Sequence, residues 1–462
     1  MNTTEIINLL KANISELDYS IAVDDLQTYG QDWTRFNQVD AACVLFPKTV
    51  EQVQSIVKVA NELDFKIVPS GGRTGYSGGA VASQHEFVLS LEKMRNILDF
   101  NADDSQVTVQ AGVITEQLHT YAQEKGLFYP VDFASSGSSQ IGGNIATNAG
   151  GIRVLRYGMT RDYVAGLKVV TATGEILQLN QGLIKNATGY DLRHLIIGSE
   201  GTLAIVVEAT MQLIKPPVAQ SVMLLALSSL DSVMRVFSLA KLQLNLSAYE
   251  FFTDVALKHV CGHRELEQPF EESAPCYVLC EFDDNGNESE DAVMQVFEQG
   301  MESGDILDGV ISQSLDQAQQ FWQYREGISE SIAHYSPYKN DIAVKVSLVP
   351  EFMNQLDALV QKHYPQFELV WFGHIGDGNL HLNIIKPEDM SIEAFKTECE
   401  TVNKHVYGLI QKMNGSISAE HGVGMIKKPY LSYSRSDGEL QLLKGIKQVF
   451  DPNNILNPGK LI

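Results

Sequence analysis

PSGGRTGYSGGA (69–80) carries five glycines, Gly71, Gly72, Gly75, Gly78 and Gly79. That density cannot serve the interior of a helix or strand, and it lets backbone N–H groups turn toward an anion such as a pyrophosphate. The stretch follows FKIVP (65–69), which reads as a strand, and no helix opens in AVASQHEFVLSLEKM (80–94) after it. The GxGxxG spacing is absent and no Gly-Lys-Ser/Thr follows, so the loop is neither a Rossmann fingerprint nor a Walker loop. Taken alone, it reads equally well as a flexible linker.

A second small-residue stretch, SSGSSQIGGNIATNAGGIRVLRYG (135–158), weakens the linker reading. Both stretches lie among alternating strand patterns, QVTVQAG (106–112), GLKVVTATGEILQL (166–179) and TLAIVVEATMQLI (202–214), which suggests a long ligand held against several backbone segments. Between Thr49 and Asp64 the pattern is that of an amphipathic helix with a Thr-x-x-Gln capping signal. Near Pro216-Pro217 the composition changes and new strand and helix signals begin, which marks a domain boundary.

A chain of 462 residues is long enough for two or more domains with sizeable cores. Its 34 basic and 57 acidic residues give a net charge of −23, which opposes binding to nucleic acid or anionic membranes. An anionic substrate then needs a local basic pocket. The N-terminus lacks a basic region followed by an apolar core, and no segment approaches about 18 uninterrupted apolar residues, so a cytoplasmic protein is expected. Five scattered cysteines include no CxxC pair, and Cys276 and Cys280 in PCYVLCEF read as buried strand residues.

FGHIGDGNLHLN (372–383) holds two histidines whose odd separation would put them on opposite faces of one strand. Asp377-Gly378 changes this, because it signals a hairpin with a two-residue type I′ turn. Such a turn pairs Gly376 with Asn379, Ile375 with Leu380 and His374 with His381, and it puts Asn383 on the histidine face. The pair is then either a shared cation site or two polar residues lining a sheet. QQFWQYREGISESIAHY (319–335) reads as a helix with Arg325 and Ser329 one turn apart, and Lys339 follows in a loop. These three suit a carboxylate, or simply a solvated helix face. In GSISAEHGVGMIKKPY (415–430), Glu420 and His421 serve one site only if the backbone bends at Gly422 and Gly424.

Taken in order, DWTRF (32–36), PSGGRTGYSGG, IGGNIATNAGGIRVLRYG, NATGYDL, IIGSEGTLAI, GHIGDGNLHLN, SAEHGVG and DPNNILNPGKLI resemble the FAD-dependent D-2-hydroxyacid dehydrogenases of the vanillyl-alcohol-oxidase type over nearly the whole chain. The resemblance implies an α+β protein. A two-part FAD-binding domain, 1–219 plus the C-terminal segment 420–462, would enclose an inserted α+β substrate domain, 220–419. It implies FAD along Pro69, Gly71, Gly72, Arg73, Thr74, Gly75, Gly78 and Gly79, with the pyrophosphate at Gly71 to Gly75. Gly137, Ser138, Gly142, Gly143, Asn144, Thr147, Asn148, Ala149, Gly150, Gly151, Glu200, Gly201 and Asn457 would be its other neighbours. Arg73 stands where covalent flavoproteins of this fold often carry a histidine, so noncovalent FAD is expected.

By the same resemblance His374, His381 and Glu420 are ligands of a divalent metal, and His421 is the base that also touches substrate. Arg325, Ser329, Lys339 and Asn383 hold the substrate. Two histidines and one carboxylate with open positions favour zinc, although manganese or cobalt also fits. The implied reaction oxidises a D-2-hydroxyacid, D-2-hydroxyglutarate first and D-malate besides, with an electron-transfer flavoprotein or a quinone as acceptor. A D-lactate or glycolate dehydrogenase is the alternative within the family, and a metal-dependent hydrolase is the alternative outside it. KNDIAVK (339–345) departs from the family's Lys-x-Asp-x-Ser-x-Pro at Ala343 and Lys345, which leaves Lys345 either on a second carboxylate or in solvent. The oligomeric state stays open, a homodimer included.

Overall fold

The computed structural model describes residues 1–34 and 37–462; Arg35 and Phe36 of the DWTRF motif lie outside the described residues. The chain divides into two compact units. One comprises Met1–Gly150, Gly158–Pro216 and Glu420–Ile462; the other comprises Gly151–Tyr157 and Pro217–Ala419. Among the described residues no helix is long and apolar enough to cross a membrane.

The first unit holds two sheets. Strands β1 (Asp18–Ser20), β2 (Ala41–Phe46), β3 (Ile67–Ser70) and β4 (Glu86–Ser90) form the sheet β1-β2-β4-β3. Its β2, β4 and β3 run parallel, and β2 and β4 are buried throughout, as a covered parallel sheet requires. The parallel crossover from β2 to β3 is the helix Val50–Leu63, started by Thr49, whose hydroxyl accepts the Gln52 N–H. β3 delivers the chain into the first glycine loop. The other edge of β3 is covered by the chain's own end: Ile67 N–H donates to Ile455 O, and Asn457 N–H donates to Ile67 O. Strands β5 (Ile97–Asn101), β6 (Gln106–Gln110), β7 (Val164–Thr171), β8 (Ile176–Leu179) and β9 (Ala204–Gln212) make the antiparallel sheet β5-β6-β9-β7-β8.

The second unit is built on seven antiparallel strands, β10 (Gln220–Leu227), β11 (Leu246–Thr253), β12 (Cys276–Asp283), β13 (Ile306–Ile311), β14 (Tyr338–Ala343), β15 (Leu369–Gly373) and β16 (Asn379–Ile384), in the order β13-β10-β12-β11-β15-β16-β14. Alternate residues, among them Val222, Leu224, Ala248, Phe252, Leu279 and Phe372, form one apolar face against the helices Asp254–Arg264 and Leu315–Glu326. Cys276 and Cys280 are buried strand residues, as their sequence context predicts, and burial pushes the Cys276 thiol up to about 12. Gly327 continues the Arg325 helix into Ile328–Ser331 with helical dihedrals, so Arg325 and Ser329 stay one turn apart. A side chain there would meet Val260 and Arg264 of the neighbouring helix at 2.7 Å, which is why the position is glycine.

The short segment Gly151–Tyr157 belongs to this unit through charge. Arg153 makes a two-pronged contact with Glu281, Nε to Oε1 at 2.8 Å and Nη2 to Oε2 at 3.1 Å, and Arg156 pairs with Asp283. Trp322 Nε1 donates to the same Glu281 at 3.2 Å. Replacing Arg153 by Met leaves Glu281, 4% exposed, without its guanidinium. The expected loss is about 3 kcal/mol, read as a lower urea midpoint at unchanged slope.

Candidate active site

In the first unit the glycine stretches come together with the atoms that a bulkier residue would exclude. A Cβ on Gly72 would lie 2.2 Å from Ser138 O, and one on Gly71 would lie 3.6 Å from Gly143 Cα. Gly201 is left-handed at φ +70 and faces the Pro69 ring at 3.1 Å. Asn457 ties the C-terminal return to this cluster, since its Nδ2 donates to Gly79 O at 2.9 Å and to Glu200 O at 2.7 Å. Arg73, Asn148, Glu200 and Asn457 all hold positive φ without being glycine, a cost that accumulates at ligand-holding loops. Arg73 donates to Gly71 O at 3.1 Å and lays its guanidinium over the Tyr29 ring at 4.3 Å.

Ser70 Oγ, Gln140 Oε1, Ser199 Oγ and Asn457 Oδ1 are buried on these segments without hydrogen-bond partners. Groups of that kind are expensive unless a ligand completes them, so the cluster suits a long polar cofactor. Some expected contact residues spend their side chains on the fold: Asn144 Nδ2 donates to Thr115 Oγ1, Thr147 Oγ1 to Gly143 O, and Asn148 Oδ1 accepts from Arg161 N–H. Gly151, expected beside the same ligand, falls in the second unit.

Glu200 has a further role that the sequence reading missed. Its carboxylate accepts the N–H groups of Val423 at 2.6 Å and Gly424 at 2.7 Å, which pins SAEHGVG, while burial raises its pKa. Gly422 at φ +79 and Gly424 at φ +51 bend this segment, the condition on which Glu420 and His421 can serve one site. Glu420 and His421 accordingly turn together: Nε2 of His421 lies 4.0 Å from Oε1 of Glu420, and its ring lies 4.9 Å from that of Tyr76.

In the second unit the hairpin corrects the sequence reading. Phe372, and not His374, stands opposite His381; Gly376 and Ile375 are in the turn, so neither pairs with Asn379 or Leu380 as expected. A type I′ turn needs positive φ at both central residues, but only Gly378 has it, at +88. Instead His374 O accepts from both Asp377 N–H and Asn379 N–H, and Asp377 Oδ1 caps Asn379 N–H, giving a longer turn. The register moves by two, an even number, so the faces survive. The two imidazoles meet edge to face with centroids 5.4 Å apart.

Cross-strand neighbours extend this face. Asp341 stands opposite His381, and Lys339 opposite Asn383, whose Nδ2 reaches Val370 O at 3.4 Å. Asp341, fully buried, has Oδ1 3.7 Å from His381 Nδ1; it accepts from Asn379 Nδ2 at 2.9 Å and from Ala419 N–H at 3.1 Å. Glu420 and His421 follow Ala419 directly in the chain. On β11 the buried Glu250 holds His374 Nδ1 at 2.8 Å through Oε1 and lies 2.7 Å from Arg325 Nη2 through Oε2. That second contact is close in distance but lacks hydrogen-bond angles, so Arg325 Nε and Nη2, on a side chain 6% exposed, have no hydrogen-bond partner. Ser329 is half-buried, and Lys345 is exposed. Sequence reasoning missed Glu250 and Asp341. The available signal was an acid inside apolar LSAYEFFT (246–253) and another between the Lys339 and Ala343 positions of an alternating strand.

Residues 216–461 match the family model described as FAD linked oxidases, C-terminal domain, and residues 41–180 match that of an FAD binding domain. A protein of Stutzerimonas stutzeri (strain A1501) named D-2-hydroxyglutarate dehydrogenase is 53% identical over 461 residues, covering 100% of this chain and 99% of that protein. A protein of the same name from Xanthomonas citri pv. viticola is 55% identical over 437 residues, 95% of this chain and 92% of its own. Among solved structures, p-cresol methylhydroxylase with substrate bound superimposes with a TM-score of 0.80 at 16% identity, covering 99% of this chain and 96% of that one, which speaks for the fold. Gly72→Ala, whose new methyl has no room beside Ser138 O, is expected to leave a protein that retains little FAD, read from the visible absorbance after purification.

Proposed function

The chain belongs to the FAD-linked oxidases of the vanillyl-alcohol-oxidase fold, among the FAD-dependent D-2-hydroxyacid dehydrogenases, and within that family we propose that it oxidises D-2-hydroxyglutarate to the 2-oxoacid, with D-malate as a second substrate. The observation that carries the proposal is the buried guanidinium of Arg325, whose Nε has no hydrogen-bond partner while its Nη2 lies against Glu250 Oε2 at 2.7 Å, in the same unit as the paired rings of His374 and His381. A buried guanidinium N–H left over in this way is a donor suited to a carboxylate. The nearby imidazoles are the donors a divalent cation prefers.

When bound, FAD takes up the hydride equivalent and a divalent cation draws electron density from the hydroxyl oxygen. The chain's own residues do the rest. His374, His381 and Glu420 hold the cation, zinc being favoured by the donor set. His421 takes the hydroxyl proton at its imidazole while Tyr76 packs against the ring. Arg325 and Ser329 orient one carboxylate. Lys339 and Asn383, neighbours across β14 and β16, receive the other. Because Glu250 offsets the Arg325 charge, Lys339 and the cation must supply the net attraction for a dianion in a chain of charge −23. FAD is held without a covalent bond, with Arg73 in the first loop.

A D-lactate or glycolate dehydrogenase is the second reading, since neither substrate needs Lys339. Family membership sets aside the metal-dependent hydrolase. An electron-transfer flavoprotein or quinone as acceptor, and a cytoplasmic location, complete the proposal.

Anaerobic bleaching of the flavin by a panel of D- and L-2-hydroxyacids tests it. D-2-hydroxyglutarate should bleach fastest and its L form should not; bleaching by D-lactate equally well, unaffected by Lys339→Ala, would transfer the assignment to the second reading. His421→Ala should keep its FAD and slow bleaching by about 10²-fold or more; an unchanged rate removes it as the base. Stripping the protein with a chelator should abolish bleaching until zinc, manganese or cobalt is restored, and full activity in verified metal-free protein rules out the cation.

A further inference from the structure

We propose that Glu250 is a positioning residue for the cation site, fixing His374 as the Nδ1–H tautomer so that Nε2 carries the lone pair for the metal. The inference rests on the cation assignment made above for His374. Glu250 lies in the middle of β11, 1% exposed, between Tyr249 and Phe251 of an otherwise apolar strand. Its Oε1 is 2.8 Å from His374 Nδ1. An ionised carboxylate can only accept, so the proton on that contact belongs to the imidazole, and a neutral imidazole then presents its lone pair at the other nitrogen. A metal-binding histidine needs its second nitrogen held in this way, because a free ring both rotates and populates the wrong tautomer.

The counter-charge is built in. Arg325 lies 2.7 Å from Oε2 and stacks its guanidinium over the Phe372 ring at 4.8 Å. Glu250 therefore stands between the residue assigned to the substrate carboxylate and a residue assigned to the cation. Across the same face, Asp341 Oδ1 is 3.7 Å from His381 Nδ1.

The test uses FAD-loaded protein stripped of metal and titrated with zinc alone. Glu250→Leu, which leaves no acceptor for Nδ1–H, should weaken zinc binding by about 10- to 100-fold without changing FAD content, and Glu250→Gln should recover part of the loss because its carbonyl oxygen still accepts. Nitrogen-15 spectra of labelled histidine in the metal-free protein should assign the His374 proton to Nδ1 in the unaltered protein and to Nε2 or a mixture in Glu250→Leu. If the single variant fails to fold because Arg325 is left uncompensated, Glu250→Leu combined with Arg325→Met removes both charges and should show the same zinc and nitrogen signatures. Unchanged zinc affinity, or an unchanged His374 tautomer, in whichever of the two leucine variants folds would overturn the proposal. An unaltered protein that binds no zinc counts against the cation assignment instead, and the nitrogen spectra still decide the role of Glu250.

Discussion

A carboxylate placed on an apolar sheet face must be paired, and the second unit is organised by that requirement. Glu250 and Glu281 sit on the same face as Phe252, Leu279 and Phe372, and each is answered by an arginine from another segment. Both are buried, so the alternative to pairing is several kcal/mol of desolvation per ion. Glu281 collects Arg153 and the Trp322 indole, while Glu250 collects Arg325 and His374. Trp322 and Arg325 lie one turn apart on the same helix, so the two acids fix that helix at two points. The guanidinium assigned to substrate consequently has little freedom of its own.

The first unit meets a different constraint, close approach of backbone to backbone. Gly72, Gly142 and Gly424 lie where any Cβ would come within 2.8 Å of a neighbouring segment, so these loops pack as bare chain. Bare chain leaves N–H groups and small polar side chains turned inward, and the partnerless oxygens of Ser70, Gln140, Ser199 and Asn457 are the consequence. Glu200 adds a buried carboxylate that two backbone N–H groups satisfy, and it holds the bend on which the relative direction of Glu420 and His421 depends.

The elements with strong local codes were legible. Thr49 and the apolar spacing after it specify a helix, and the apolar runs at 65–69 and 204–212 specify strands because alternation and burial are properties of a few consecutive residues. The hairpin was legible in its faces and not in its register. Whether Asp377 takes positive φ depends on how His374 O and the Asp377 carboxylate are used, and on Val344 O, 2.2 Å from where Gly378 would carry a Cβ. None of this is visible in the dipeptide Asp-Gly. Glu250 and Asp341 were invisible for a simpler reason: their partners are 124 and 40 positions away in the chain for the histidines alone, with Arg325 in a third segment.

Sequence by itself determined that two glycine stretches would pack as bare backbone, that the histidines of 372–383 would share a face, and, through its ordered motifs, the family. The first two survive because they rest on glycine's lack of a side chain and on the two-residue period of a strand, both local properties. Tertiary structure alone decided which atoms of the site are already engaged: Nδ1 of His374 with Glu250, the Glu200 carboxylate with Val423 and Gly424, and the Asn144 side chain with Thr115. A polar atom's availability depends on which distant group is packed against it, and only the folded chain sets that distance.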